Sequence, residues 1–186
     1  MTYRMQKPLF KYHQYQGESQ DCGPTSLAIA ANACWEETRL EGGRVAEEMD
    51  HPVVQILPYP RLVVYRIAGW ATFPWGMVSY LRSWGIRARW RLFSRLEDLQ
   101  SNLASDLVTL VTLGEPFLWD RGYRGWSHYK VLYAHQPGDG FLFVDPAHER
   151  DSGEGEGLSW QEEGEFLSLW RRMGRIRIEV ESVETG

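Results

Sequence analysis

The chain has 186 residues, of which 43% are hydrophobic, and this size and composition predict one compact domain over residues 1–186. A formal net charge of −5 argues against a general nucleic-acid-binding protein. The sequence has neither a Gly-rich phosphate-binding motif ending in Lys-Ser/Thr nor an apolar run long enough to cross a membrane. Residues 1–11 lack the apolar stretch of a signal peptide, so we expect a cytoplasmic protein.

The first chemically informative segment is residues 16–27, in which a cysteine stands where a helix should begin. Asp21 is a favoured N-cap type and Pro24 is tolerated in a first turn, so the pattern predicts a helix starting at Cys22. The positive end of the helix dipole would favour the thiolate of Cys22, the nucleophilic form. Gln16 lies six residues earlier, and its side-chain amide could join the Cys22 backbone N–H in an oxyanion hole. The alternative is a cysteine that only packs.

The middle of the chain is predicted to be scaffold. A second helix is expected over residues 36–49, interrupted or started at Gly42-Gly43. A long irregular segment over residues 50–74 is expected to follow it and to border a substrate cleft next to Cys22. The patterns then predict a helix, an Arg-rich strand, a short helix and a strand buried on both faces, over 75–84, 86–93, 95–104 and 107–113. The segment 115–125, with Trp119 and Tyr123, is expected to form one wall of the site.

A second group of candidate site residues lies in residues 126–133 and 141–147. These two stretches predict strands joined by the turn-forming residues 136–140. Antiparallel pairing would place Asp145 next to His128. A carboxylate in that position fixes the imidazole tautomer and stabilises its protonated form, as a base that serves a cysteine requires. The alternative is that both residues are structural. Alternation puts Lys130 on the same side as His128, either in the cleft or, as we favour, exposed to solvent.

The last third of the chain completes the predicted scaffold. Residues 149–157 are acidic and Gly-rich and should form a solvated loop. Ser159 to Glu162 has the spacing of a capping box and predicts a following helix with one apolar face. Residues 175–180 alternate polar and apolar side chains and predict an edge strand.

Together these segments resemble the papain-like bacteriocin-processing cysteine peptidases, family thirty-nine of that class, and especially their stand-alone relatives. The resemblance rests on Gln16, Asp21-Cys22-Gly23, His128 and Asp145-Pro146, which occur in the family's order, and more weakly on residues 73–86. It implies a papain-like α+β fold in which a helical N-terminal part packs on an antiparallel sheet. It also implies roles for Cys22 as nucleophile, His128 as general base and acid, Asp145 as its orienter and Gln16 as oxyanion donor.

The predicted function is therefore a cysteine peptidase that cleaves peptide bonds of a peptide or protein substrate through a thioester, without a cofactor. A transpeptidase or deamidase with the same residues and a peptide-binding module of the same fold remain alternatives. If Cys22 and Cys34 share a helix they lie about 18 Å apart, too far for a disulfide, so Cys34 is expected in the core. Zinc-binding spacings and a Gly-x-Ser-x-Gly motif are absent from the sequence, so neither a metal site nor a serine nucleophile is expected. The sequence leaves the oligomeric state open.

Overall fold

The computed structural model of this protein describes residues 2–55, 61–116, 125–149 and 157–181. These residues contain five α-helices: α1 (Cys22–Trp35), α2 (Gly42–Met49), α3 (Pro74–Ser83), α4 (Leu96–Ala104) and α5 (Glu163–Arg172). Their strands are β1 (Tyr3–Arg4), β2 (Val53–Gln55), β3 (Arg61–Val63), β4 (Arg66–Ile67), β5 (Ala71–Thr72), β6 (Arg87–Arg91), β7 (Val108–Glu115), β8 (Trp126–Gln136), β9 (Gly140–Val144), β10 (Leu158–Glu162) and β11 (Arg177–Glu181). A 3-10 helix spans Leu9–Tyr12. The predicted α+β class is confirmed.

Within the described residues, seven strands form one antiparallel sheet in the order β10-β9-β8-β7-β11-β6, and β1 pairs with the end of β8. Strands β2 with β3 and β4 with β5 form two separate small hairpins. Helix α1 packs against β7, β8 and β11, and α5 packs against β7, β9 and β10. None of the described helices is both long and apolar enough to cross a membrane.

Helix α1 is buried around its whole circumference. Every residue from Gly23 to Cys34 is buried, because the Ala, Gly and Ser side chains of this helix let the sheet, α2 and α3 approach it closely. Cys34 lies in this core as a free thiol, as predicted, and burial raises its pKa to about 11. The first residue, Cys22, is only partly buried.

Of the predicted helix over residues 36–49, only the part from Gly42 onward is helical, so the alternative that the helix starts at Gly42-Gly43 is confirmed. The cause is the buried side chain of Asn32, which accepts hydrogen bonds from the backbone N–H groups of Arg39 and Leu40 at 2.8 and 2.9 Å and donates to the Leu40 carbonyl at 2.8 Å. These bonds replace helical ones, so the chain between α1 and α2 is a loop.

The prediction of an irregular segment over residues 50–74 is wrong, since its described part contains β2 to β5. The turn between β4 and β5 has Gly69 at φ +67°, a conformation that glycine adopts without strain. Elsewhere the predicted helices and strands over 75–84, 86–93, 95–104 and 107–113 are confirmed as α3, β6, α4 and β7, with ends shifted by one or two residues. Trp119 and Tyr123, predicted to wall the site, lie outside the described residues.

Strand β11 is not the edge strand that its alternating sequence predicts. It pairs with β6 on one side and β7 on the other, and Glu179 is 1% exposed. Burial alone would raise the pKa of Glu179, but hydrogen bonds from Arg89 and Arg177 outweigh this and lower it. The carboxylate is therefore tolerated inside the sheet because arginines compensate its charge.

The predicted capping box at Ser159 is also wrong. Ser159 lies within β10, which pairs with β9, and the N-cap of α5 is Glu162, whose carboxylate accepts from the backbone N–H groups of Gly164 and Glu165 at 3.0 and 2.9 Å. The apolar face predicted for this helix is present. Phe166 and Trp170 are buried, and Phe166 packs on Phe141 and Phe143 of the sheet.

Candidate active site

Cys22 is the first residue of α1, as predicted, so its thiol lies at the positive end of the helix dipole. Asp21 does not form the predicted side-chain cap with any described residue. Its carboxylate instead pairs with Arg66 at 2.8 Å, and the Arg66 side chain, 4% exposed, also lies 2.8 Å from Asp50. The buried guanidinium thus ties the start of α1 to β4 and to the end of α2.

His128 and Asp145 lie side by side because of the pairing of β8 with β9. Val131 of β8 lies opposite Val144, the last residue of β9, so Asp145 follows at the level of the first residues of β8. The His128 Nε2 atom lies 2.7 Å from Asp145 Oδ1. The side chains of His128 and Asp145 are 17% and 2% exposed, so the hydrogen bond is shielded from water.

The Cys22 side chain is the other group that acts on the His128 ring. Because Nε2 bonds to Asp145, Nδ1 is the ring nitrogen left for the thiol. Burial by itself lowers the pKa of His128, but the hydrogen bond with the Asp145 carboxylate, together with the interaction with Cys22, outweighs it and raises the pKa to about 9. The geometry therefore favours an imidazolium between the thiol and the carboxylate.

Both oxygens of the Asp145 carboxylate are hydrogen-bonded. Oδ1 also accepts from the backbone N–H of Ala147 at 2.9 Å, and Oδ2 lies 2.8 Å from Lys130 Nζ and 3.0 Å from Ser159 Oγ. Burial would raise the pKa of Asp145, but His128 and Lys130 together hold it well below its usual range. Lys130 is 12% exposed, so the interpretation that it is exposed to solvent is wrong.

Gln16 lies in the loop before α1, and this loop is hydrogen-bonded to the segment that follows β9 and contains Asp145. The Gln16 backbone N–H donates to the Pro146 carbonyl at 2.8 Å. The side-chain Nε2 donates to the Ser19 carbonyl at 2.9 Å, and Ser19 Oγ donates back to the Gln16 carbonyl at 2.7 Å. A side-chain amide has two N–H groups, and the bond to Ser19 uses one of them.

The hairpin β4–β5 packs directly on the first turn of α1. A Cβ added at Gly23 would lie 2.6 Å from the Thr72 Cβ, and the Thr72 carbonyl accepts from the Tyr129 hydroxyl at 3.1 Å. Only glycine permits this approach beside Cys22. A cleft of about 570 Å3 lies beside Gln16. It is lined in part by Asp21, which precedes α1, by Thr25 of α1 and by the first residues of α2.

We expect Gly23→Ala to push the hairpin β4–β5 away from Cys22. The new methyl group overlaps the Thr72 side chain, so we expect the free energy of unfolding to fall by about 1–3 kcal/mol and alkylation of Cys22 to change in rate. Denaturant titration and iodoacetamide labelling measure both effects. Gly43→Ala is the matched control, since a Cβ there meets no described atom within 4 Å. Equal stability and equal labelling in the Gly23 and Gly43 variants would contradict this packing.

The sequence patterns do not identify two residues that contact Asp145, namely Ser159 and His13. The local pattern predicts a helix cap for Ser159, whereas its contact with Asp145 depends on the pairing of β10 with β9. His13 Nε2 lies 3.0 Å from the Asp145 carbonyl oxygen and belongs to the N-terminal segment, 132 positions away.

The described residues include no group of three or more His, Cys, Asp or Glu side chains that could hold a metal ion.

Comparison with known proteins identifies a similar fold. A crystal structure of a "putative C39-like peptidase" from Bacillus anthracis superposes with a TM-score of 0.68, covers 97% of this chain and 97% of that chain, and has 14% sequence identity. No protein-family model matches the sequence. No curated protein matches it either. The chain has the fold of a C39-like peptidase.

Proposed function

We propose that this protein is a cysteine peptidase that cleaves peptide bonds through a thioester on Cys22. The observation that carries this proposal is the placement of His128, whose Nε2 lies 2.7 Å from Asp145 Oδ1 and whose ring interacts with Cys22 at the start of α1. These three residues supply the parts that nucleophilic catalysis by cysteine requires, namely a nucleophile, a base that interacts with it and an orienting carboxylate. The fold likeness supports the same conclusion.

In the first half of the proposed reaction, the thiol proton is on His128 and the Cys22 thiolate attacks the carbonyl carbon of the peptide bond. The carbonyl oxygen becomes an oxyanion, which the Cys22 backbone N–H and the second N–H of the Gln16 amide stabilise. The C–N bond then breaks. The imidazolium of His128 gives its proton to the leaving nitrogen, so the amine departs neutral and an acyl group stays on sulfur.

In the second half, water attacks the thioester carbon and His128 takes a proton from this water. The C–S bond breaks, the carboxylic acid product leaves, and the proton on His128 restores the starting pair with the Cys22 thiolate. Throughout both halves Asp145 accepts the Nε2–H bond of His128 and stays ionised. This keeps the proton-carrying nitrogen, Nδ1, directed at the thiol and the substrate.

The proposal is tested by incubating the protein with a peptide library and identifying products by mass. Hydrolysis adds one water to the cleaved peptide, whereas transfer to an amine joins two peptides and deamidation converts a side-chain amide to an acid. Products of the first kind support a peptidase. Binding of library peptides without any product, together with slow alkylation of Cys22, would favour a peptide-binding module of the same fold.

We expect Gln16→Ala to slow peptide hydrolysis by about 100-fold or more, because one of two oxyanion donors is lost. Iodoacetamide forms no oxyanion when it alkylates a thiolate, so labelling of Cys22 should stay close to the wild-type rate. Gln20→Ala is the matched control, because Gln20 is an exposed amide in the same loop. Equal losses of hydrolysis and of labelling in the Gln16 variant would point to a misplaced loop and would remove Gln16 from the mechanism.

A further inference from the structure

Lys130 is a largely buried charged residue, 12% exposed, that the proposed reaction does not use. Its Nζ atom lies 2.8 Å from Asp145 Oδ2, donates to Ser159 Oγ at 3.1 Å, and lies 5.4 Å from the ring centroid of Phe143. Ser159 Oγ in turn donates to Asp145 Oδ2 at 3.0 Å. Because the hydroxyl accepts from the ammonium and donates to the carboxylate, every hydrogen bond in this three-residue cluster has a defined direction.

We propose that Lys130 is a positioning residue of the active site, which holds the Asp145 carboxylate in place and supplies the positive charge that balances it. This inference rests on the proposed function only for its consequence in catalysis. The pairing itself rests on the contacts of Lys130 with Asp145 and Ser159. Because Lys130 Nζ contacts Asp145 and Asp145 contacts His128, the lysine acts on His128 through Asp145.

The summed charge of Cys22, His128, Asp145 and Lys130 explains why a lysine next to Asp145 is favourable. With a neutral thiol and a neutral imidazole, Asp145 and Lys130 sum to zero. With a thiolate on Cys22 and an imidazolium on His128, the four groups again sum to zero. Without Lys130 both states would carry one uncompensated negative charge around a carboxylate that is 2% exposed, and burial of an uncompensated charge is costly.

The other titratable groups around Asp145 come from three parts of the chain. His128 lies on β8 with Lys130, His148 Nε2 follows the strand end and lies 4.0 Å from Oδ2, and His13 contacts the backbone carbonyl rather than the carboxylate. His148 is 40% exposed, so its charge is screened more strongly than that of Lys130. Lys130 is thus the ammonium group in direct contact with Asp145 Oδ2.

The test is the pH dependence of Cys22 alkylation and of peptide hydrolysis in Lys130→Gln, which keeps a hydrogen-bond donor and removes the charge. Loss of the positive charge of Lys130 disfavours the Cys22 thiolate and favours the His128 imidazolium. We therefore expect both limbs of the hydrolysis profile to move to higher pH by about one unit, with the acid limb of alkylation moving likewise. At a pH on the wild-type acid limb, labelling should fall about tenfold.

Two control variants separate charge from packing. Lys130→Arg keeps the charge, so both limbs should stay within a few tenths of a pH unit of wild type. Ser159→Ala removes hydrogen bonds of the same cluster and no charge, so its limbs should also stay in place. Limbs that remain unmoved or move to lower pH in Lys130→Gln, or that move equally in Lys130→Arg, would overturn the inference.

Two further outcomes keep this inference distinct from the proposed function and from a folding defect. If the acid limb of alkylation moves as expected but no variant or wild-type protein hydrolyses peptides, the role of Lys130 stands and the peptidase proposal fails. If Lys130→Gln does not fold, the double variant Lys130→Gln/Asp145→Asn removes both charges. Recovery of folding in the double variant supports charge compensation, and continued failure to fold overturns it.

Discussion

Replacing Cys22 with alanine is expected to reduce peptide hydrolysis by at least about 10⁴-fold, to a level near background, while the protein stays folded. Without the sulfur no thioester forms, and the remaining His128 and Asp145 cannot substitute as nucleophile. Cys22 is partly exposed at the first position of α1, so loss of its thiol leaves no large cavity in the core. Hydrolysis is measured on the best peptide from the library, and folding by thermal denaturation.

Cys34→Ala is the matched control, since the two thiols belong to the same helix. The Cys34 thiol is buried and its pKa is raised to about 11, so it should contribute neither to hydrolysis nor to iodoacetamide labelling at neutral pH. We expect the Cys34 variant to retain wild-type turnover, with a modest loss of stability from the small cavity. Hydrolysis that persists in Cys22→Ala, or that disappears in Cys34→Ala alone, would remove Cys22 from the proposed role.

The positions of the candidate site residues could be predicted where the signals are local. A favoured N-cap type before a small-residue helix places Cys22, and turn chemistry between two aromatic and β-branched segments places His128 and Asp145 on one hairpin. Antiparallel pairing then brings the strand end to the strand start without knowledge of the rest of the fold. These predictions need only residues that lie within one helix or one hairpin.

The predictions that fail involve residues whose partners are distant in sequence. The Ser159 pattern satisfies a capping box, but pairing of β10 with β9 decides its structure and brings its hydroxyl to Asp145. The alternation in β11 predicts a solvated face, yet Glu179 is buried because Arg89 of β6 pairs with it. In both cases a tertiary contact overrides a valid local preference.

Lys130 is an intermediate case between these two. Alternation along β8 correctly places it on the side of His128, and the sequence leaves open whether that side is covered. The covering residues are Ser159 on β10 and Phe143 on β9, so burial of Lys130 depends on the sheet extending beyond β9. The pattern at Ser159 predicts a helix start in place of β10, so the sequence offers no strand that would cover Lys130.

The second large effect is expected for Asp145→Asn, which should lower kcat/KM for peptide hydrolysis by about 10⁴-fold near pH 8. Asparagine has nearly the shape of aspartate but no charge, so it no longer stabilises the imidazolium of His128. The pKa of His128 is raised to about 9, chiefly by Asp145 against the opposing effect of burial. Without that charge, burial should bring it to the ordinary value of 6.5 or below.

The sign of this effect gives a pH signature. A raised pKa means that the imidazolium adds to stability below about pH 6.5 and that this contribution is lost as the pH rises through about 9. Wild-type activity should therefore extend to about pH 9, whereas the alkaline limb of Asp145→Asn should fall near or below pH 6.5. This shift is opposite in direction to the one expected for Lys130→Gln, because the two substitutions remove charges of opposite sign.

Asp139→Asn is the matched control for this substitution, since Asp139 lies exposed in the turn of the same hairpin. It should leave the pH profile unchanged. Asp145→Asn should also lower the free energy of unfolding by about 3 kcal/mol, because Lys130 stays buried without its carboxylate. If the variant folds and its alkaline limb coincides with that of the wild type, Asp145 does not set the protonation of His128, and the orienting role fails even if activity is reduced.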